Sequence, residues 1–276
     1  MYYTCLKVTC DPSYTEILMA EVAEAGFESF IETESGFEAY VELEKFDEAI
    51  LSALIEQYAL PAQLDISYER VEKQNWNEEW EKSYEPINVE GECLIRASFH
   101  KPNPAIPFEV VITPKMSFGT GHHQTTYLMV KSQLGIDHKG KRVMDAGCGT
   151  AILSVVASLR GASEVEAFDI DEWSIVNGNE NAAVNNCTNI RIRQGRIEEL
   201  DVEGQFDIVL ANINKNVLMA EARIYQRYLV SGGLMLLSGF YTEDIPDLLS
   251  ELAPYGLSEA GRDERENWAS LLLRKD

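Results

Sequence analysis

Basic side chains are scarce in this chain: lysine and arginine number 23 against 46 aspartates and glutamates, for a formal net charge of -23. The first 70 residues hold only Lys7, Lys45 and Arg70 against fifteen acids, which leaves -12 in one quarter of the sequence. Such a surface repels phosphate backbones and anionic lipid, so no duplex nucleic-acid or membrane partner is expected and a basic one is favoured. Cysteine is sparse too. The five, Cys5, Cys10, Cys93, Cys148 and Cys187, are odd in number and show neither C-x-x-C nor zinc-type Cys/His spacing, which points to reduced thiols. No apolar run is long enough to span a bilayer, and the opening MYYTCLKVTCDP lacks the basic start and apolar run of a leader. The expectation is a soluble, cytoplasmic protein that acts as a monomer. A third glycine is also missing: after Gly147 and Gly149, position 152 is Ile152, so the G-x-G-x-x-G fingerprint fails and a pyrophosphate cradle is disfavoured.

What is present falls into two differently patterned parts. Residues 2–10 alternate like a strand, and Asp11-Pro12 introduces a helix with Ile17, Leu18, Val22 and Ala25 on one side, ended by Gly26. FESFIETE and FEAYVELE around Ser35-Gly36 read as a half-buried hairpin, with Phe27, Phe30 or Ile31, Phe37, Tyr40 and Val41 alternating with glutamates. A second helix, Phe46 to Tyr58, turns Ile50, Leu51, Leu54 and Ile55 inward and stops before Pro61, and Leu64 to Tyr68 makes a last strand. The order β-α-β-β-α-β predicts a small ferredoxin-like α+β domain over residues 1–70. Residues 71–100 read as a linker helix and connection, with Trp76, Trp80 and Tyr84 at helical spacing and more suited to pinning a linker than to binding a ligand. The proline-rich KPNPAIPFEVVITP then leads into the remainder as extended chain.

From Lys141 onward, seven apolar strands alternate with helices and predict a doubly wound, Rossmann-like α/β sheet within a domain spanning 101–276. The last two runs, GLSEAGRDER and WASLLLRK, have no helix between them, so they should close the sheet as an antiparallel hairpin. KRVMDAGCGTAIL reads as strand, tight turn and helix, and Gly147 and Gly149 allow a ligand to sit against bare backbone. Asp169, at the end of the next apolar run, is placed to bind both hydroxyls of a ribose, so an adenosine cofactor still fits. Asn212 stops the fourth strand in the same crevice, where an uncharged amide can orient an amine or a cofactor's polar groups. Upstream, Gly119 and Gly121 give a flexible loop, and Thr125/Thr126 open a helix whose free amides can meet a carboxylate. The adjacent His122 and His123 lack a third ligand, so helix capping is favoured and no metal is expected. Cys148 is read as a small filler of the loop, and no catalytic cysteine is expected.

Taken together, the acidic front, NWNEEWEKSYEP, FGTGHHQTT, DAGCGTAIL, DID, ANI and NWASLLLRK resemble the S-adenosylmethionine-dependent methyltransferases of the large-subunit ribosomal protein eleven family over nearly the whole chain. The resemblance implies S-adenosyl-L-methionine as cofactor and methylation of the amino terminus and lysine side chains of that basic ribosomal protein, with the front domain holding the substrate. It implies cofactor contacts at Thr126, Gly147, Gly149, Asp169 and Asn212, with Phe118 to His122 forming a loop over the site. Asn212, or a carbonyl near Ile213, would hold the amine, and Phe118 would pack against the methylated, cationic product. Two positions depart from the family pattern. Ala151 replaces a customary glycine, and Gln124 replaces a customary proline; a weaker cofactor fit and a looser loop are expected of them. A methyltransferase for glutamine or an adenine base, and a non-catalytic module that binds a basic protein, are the alternative readings. The first normally has Pro-Pro-aromatic after its asparagine or aspartate, where this chain has Ile213-Asn214-Lys215.

Overall fold

The structure is a computed structural model that describes residues 2–46, 48–72, 84–115 and 117–276. The expected linker helix with Trp76 and Trp80 lies outside the described residues, as does the side chain of Ile50. The chain divides into two compact units, residues 1–83 and 84–276.

In the first unit, β1 (Tyr2–Thr9), α1 (Thr15–Glu24), β2 (Ser29–Thr33), β3 (Gly36–Glu42), α2 (Glu48–Tyr58) and β4 (Asp65–Glu72) form an antiparallel sheet of order β2-β3-β1-β4. Its core joins Leu6 and Val8 of β1 and Phe37, Ala39 and Val41 of β3 to Leu18, Val22, Leu51 and Leu54 of the helices. The period of two in β3 is what buries 37, 39 and 41 together, and it turns Tyr40 the other way, where its hydroxyl donates to Glu38 at 2.7 Å. The apolar stripes of the helices are also narrower than the sequence suggests. Ile17 and Ile55 are exposed, because a two-layer unit of this size covers only the residues directly over the sheet.

The second unit is built on β8 (Arg142–Ala146), β9 (Glu164–Asp169), β10 (Ile190–Gln194), β11 (Phe206–Asn212), β12 (Leu229–Tyr241), β13 (Leu257–Arg265) and β14 (Trp268–Lys275), in the order β10-β9-β8-β11-β12-β14-β13. β8 to β12 are parallel, and β13 and β14 close the sheet as an antiparallel hairpin. Central strands buried on both faces read as continuous apolar runs, and alternate residues enter opposite cores. Met144, Val209 and Met235 pack on one side with Leu218, Ala222 and Leu248, from α6 (Lys215–Tyr225) and α7 (Ile245–Leu252). Val143, Ile208 and Leu236 pack on the other with Met129, Val156 and Ala182, from α3 (Gln124–Leu134), α4 (Ile152–Leu159) and α5 (Glu172–Val184).

A separate three-stranded sheet, β5 (Ile87–Val89), β6 (Cys93–Arg96) and β7 (Phe108–Val111), precedes α3. Two of its strands fall in the stretch read from sequence as a linker helix and connection. Val89, Cys93, Ile95 and Ala97 are buried, which ties 87–97 into the second unit instead. The outer edge of β7 is met by asparagine side chains of α5 and of its C-cap, Asn185. Val111 N donates to Asn185 Oδ1 at 2.9 Å, Thr113 N donates to Asn181 Oδ1 at 2.8 Å, and Asn177 Nδ2 donates to Thr113 O at 3.2 Å. Spaced four apart, these amides share one face of the helix and stand in for a neighbouring strand.

Candidate active site

The carboxyl ends of β8, β9 and β11 meet at a cavity of about 560 Å³ whose walls include Phe118, Gly147, Gly149, Asp169, Asn212 and Trp268. Its floor is the turn after β8. Gly147 and Gly149 have φ of +67° and +52°, and a Cβ on either would lie 2.3 Å from Ile213 Cγ2 or from the Phe118 carbonyl oxygen. Both glycines are therefore required for left-handed backbone and for close approach. Ala151 follows at φ +60°, the same left-handed region at a residue that does carry a Cβ, and caps α4 without a side-chain oxygen to offer. Asp145 supplies that oxygen from the strand: its Oδ2 accepts from Ser154 N at 3.0 Å and from Ser154 Oγ at 2.6 Å. Asp145 is fully buried, and that burial, opposed by Ser154 and reinforced by the charge of Asp169, pushes its carboxyl up to about 7. Burial also raises the Cys148 thiol well above its ordinary range, so it stays protonated and serves as packing.

Asp169 is held by the loops around it: Gly149 N donates to its Oδ2 at 2.9 Å and Asp171 N to its Oδ1 at 3.0 Å. Each oxygen keeps a lone pair for a hydroxyl in the cavity. Asn212 ends β11 with its Nδ2 donating to Thr126 Oγ1 at 3.4 Å, and its buried Oδ1 has no hydrogen-bond partner. Thr126 is fully buried and does not line the cavity; it reaches the site through Asn212, while Thr125, one position earlier, forms part of the wall. His123 caps α3 by accepting from Thr125 N, and burial lowers the imidazole's pKa, which favours the neutral ring. Among the described residues no group of three His, Cys, Asp or Glu could hold a metal ion.

A row of rings forms the rim. Phe118 lies 5.3 Å from His123, His123 4.7 Å from Trp268, and Trp268 4.2 Å from Tyr241, centroid to centroid. Trp268 was not singled out from sequence, yet a topological signal was there. β14 runs antiparallel, so its first residue, paired with Tyr241 at the end of β12, lies at the carboxyl ends of the parallel strands. Glu221 and Tyr225 of α6 were also missed; they line the cavity with the Tyr225 hydroxyl donating to Glu221, and Arg196 stands 3.8 Å from the same carboxylate.

A sheet of this order, with a carboxylate one strand beyond a bare glycine turn, defines a Rossmann-like S-adenosylmethionine-dependent methyltransferase. The residues present suit the cofactor: the glycines leave room against backbone, Asp169 can accept from a ribose, and Ser117 Oγ and Asn212 Oδ1 are buried polar atoms of the wall still without partners. The family model described as ribosomal protein L11 methyltransferase (PrmA) matches residues 5–276, and the chain belongs to that family. It is 45% identical over 272 residues to the ribosomal protein L11 methyltransferase of Porphyromonas gingivalis, covering 98% of this chain and 93% of that protein. Over 264 residues it is 39% identical to the one from Phocaeicola vulgatus, covering 95% and 94%. Among solved structures, a ribosomal protein L11 methylase from Lactobacillus delbrueckii subsp. bulgaricus superposes with a TM-score of 0.64 at 28% identity, over 70% of this chain and all of that one.

Proposed function

We propose that this protein transfers methyl groups from S-adenosylmethionine to the amino terminus and lysine side chains of ribosomal protein L11, acting as a monomer in the cytoplasm. Residues 84–276 form the methyltransferase domain, and the acidic residues 1–70 hold the basic substrate. The reading is carried by Asn212, whose buried amide oxygen lacks a partner beside a rim of neutral aromatic rings. When bound, the cofactor supplies a sulfonium-activated methyl group. The protein's task is then to align an amine lone pair with that group and to exclude water. Gly147, Gly149 and Asp169 bind the cofactor, and Thr126 acts by orienting Asn212. Asn212 Oδ1 accepts from the incoming amine. A lysine must first lose a proton, which a desolvated pocket favours by penalising the ammonium. Phe118 packs against the methylated cation that results. The test is intact-mass spectrometry of L11 incubated with this protein and S-adenosylmethionine. Mass gains in methyl steps are expected; no gain, with cofactor binding demonstrated, would overturn the substrate assignment.

A further inference from the structure

The loop that carries Phe118 is gripped on two sides. On the inner side it rests on the glycine turn: Thr150 N donates to the Phe118 carbonyl at 2.9 Å, and Thr150 Oγ1 donates to the Gly119 carbonyl at 2.6 Å. On the outer side it lies on the small sheet, where a Cβ at Gly121 would come within 2.8 Å of Ile87 Cδ1 and 3.1 Å of Ile95 Cγ2. Beside that sheet stands Tyr84, the first residue of the second unit. Its hydroxyl donates to the Thr120 carbonyl at 3.4 Å, and its ring meets His122 edge-on with centroids 4.4 Å apart. The backbone of Tyr84 and Glu85 is held by histidines: His122 Nε2 donates to Glu85 O at 3.0 Å and His100 Nε2 to Tyr84 O at 2.5 Å. Ala97 N donates to His100 Nδ1 at 3.1 Å, which fixes the tautomer that can make the second of these bonds.

We infer that Tyr84 is a positioning residue for methyl transfer: it latches the point where the chain enters the catalytic unit onto the loop Phe118–His122 and thereby holds Phe118 over the cavity. The inference rests on the proposed role of Phe118 in the amine site. The latch joins the loop to the chain's entry point through the Tyr84 hydroxyl on the Thr120 carbonyl, the ring contact with His122 and the His122 imidazole on the Glu85 carbonyl, whereas the bonds from Thr150 reach only Phe118 and Gly119. Burial raises the Tyr84 phenol, so it remains a donor throughout the working pH range.

The Thr150 amide is the reporter, because its acceptor is the Phe118 carbonyl. In the full-length protein without substrate, Tyr84→Ala should speed hydrogen exchange at the Thr150 amide by about tenfold and leave the amides of β8 unchanged. Tyr84→Phe, which keeps the ring contact with His122 and loses only the hydroxyl bond to the Thr120 carbonyl, should restore part of the protection. His122→Ala should reproduce the Tyr84→Ala effect from the other side, and it stands as the test should Tyr84→Ala fail to fold. With L11 as substrate, Tyr84→Ala should lower kcat by about tenfold while calorimetric affinity for S-adenosylmethionine stays unchanged. Thr150 exchange that is unaltered in both variants, or that rises together with exchange throughout β8, would overturn the latch. The exchange measurement needs no methyl acceptor, so wild-type protein that fails to methylate L11 would sink the proposed substrate while the latch of Tyr84 on the loop is still judged by Thr150 exchange.

Discussion

Asp145 carries more of the chemistry of this site than its place in the middle of a sequence motif suggests. Its Oδ2 caps α4 through Ser154, and its Oδ1 is buried without a partner. Because the folded carboxyl sits at about 7 rather than near the ordinary 3.8, the native state binds this proton more tightly than the unfolded state does. The associated stability is therefore fully present below pH 3.8 and is lost as the pH rises through about 7. Urea midpoints of the cofactor-free protein should carry a component that falls across that window, on the order of 4 kcal/mol in total, and Asp145→Asn should remove it. A pH dependence identical in the Asn variant would show that other groups are responsible. Asp169 makes a second prediction at this scale. Asp169→Ala removes both the partner of Gly149 N and the acceptor for a ribose, so calorimetry should register no S-adenosylmethionine binding; unaltered affinity would remove Asp169 from the cofactor site. The sequence exposed Asp169, Gly147 and Asn212 because acids, glycines and amides at strand ends have few structural reasons to be there. It did not expose the left-handed φ of Ala151 or the capping by Asp145, since both depend on where the α4 backbone lands after the turn.

At the scale of elements, α5 was legible as a helix over 172–185, but the use of its asparagines was not. A helical period shows that Asn177, Asn181 and Asn185 share a face and says nothing of which backbone they will meet. Asn181 is fully buried; it accepts from Thr113 N and donates from Nδ2 to Thr150 O at 2.9 Å, which links the edge segment to the cofactor turn. Asn181→Ala leaves both groups unpaired, and a loss of about 2–4 kcal/mol in urea unfolding is expected. Asn179→Ala, at an exposed position on the same helix, should cost under about 0.5 kcal/mol. Equal effects from the two substitutions would mean that the ladder contributes nothing beyond helix propensity. The closing hairpin, by contrast, was readable in full, because two strand runs separated by a short turn leave no room for a crossover helix.

The whole molecule is dominated by its charge of -23, half of it within residues 1–70. Encounter with a basic protein should be steered by that field and screened by salt. For L11 methylation, kcat/KM should fall by about tenfold between roughly 50 and 200 mM salt with kcat little changed, as steered association does. Replacing the exposed Glu32 and Glu34 by glutamine should flatten that dependence. A slope unaffected by these changes would move the docking surface away from the front hairpin. Among the described residues no helix is long and apolar enough to cross a membrane.

The sequence by itself determined the two folds, the strand that carries each polar stop, a crevice that an adenosine cofactor fits and the acidic front. Each of these follows from local periodicity, turn chemistry or composition, which act over a few residues. Tertiary structure alone decided that Trp268 and His123 share the rim with Phe118, that Thr126 serves Asn212 from behind, and that Asn181 and Tyr84 brace the loops of the cavity. Apart from Phe118 and His123, which are five positions apart, those pairings join residues tens of positions or more apart. Their partners are chosen by how strand ends, loops and helix faces meet once the sheet has closed, and no local pattern encodes that geometry.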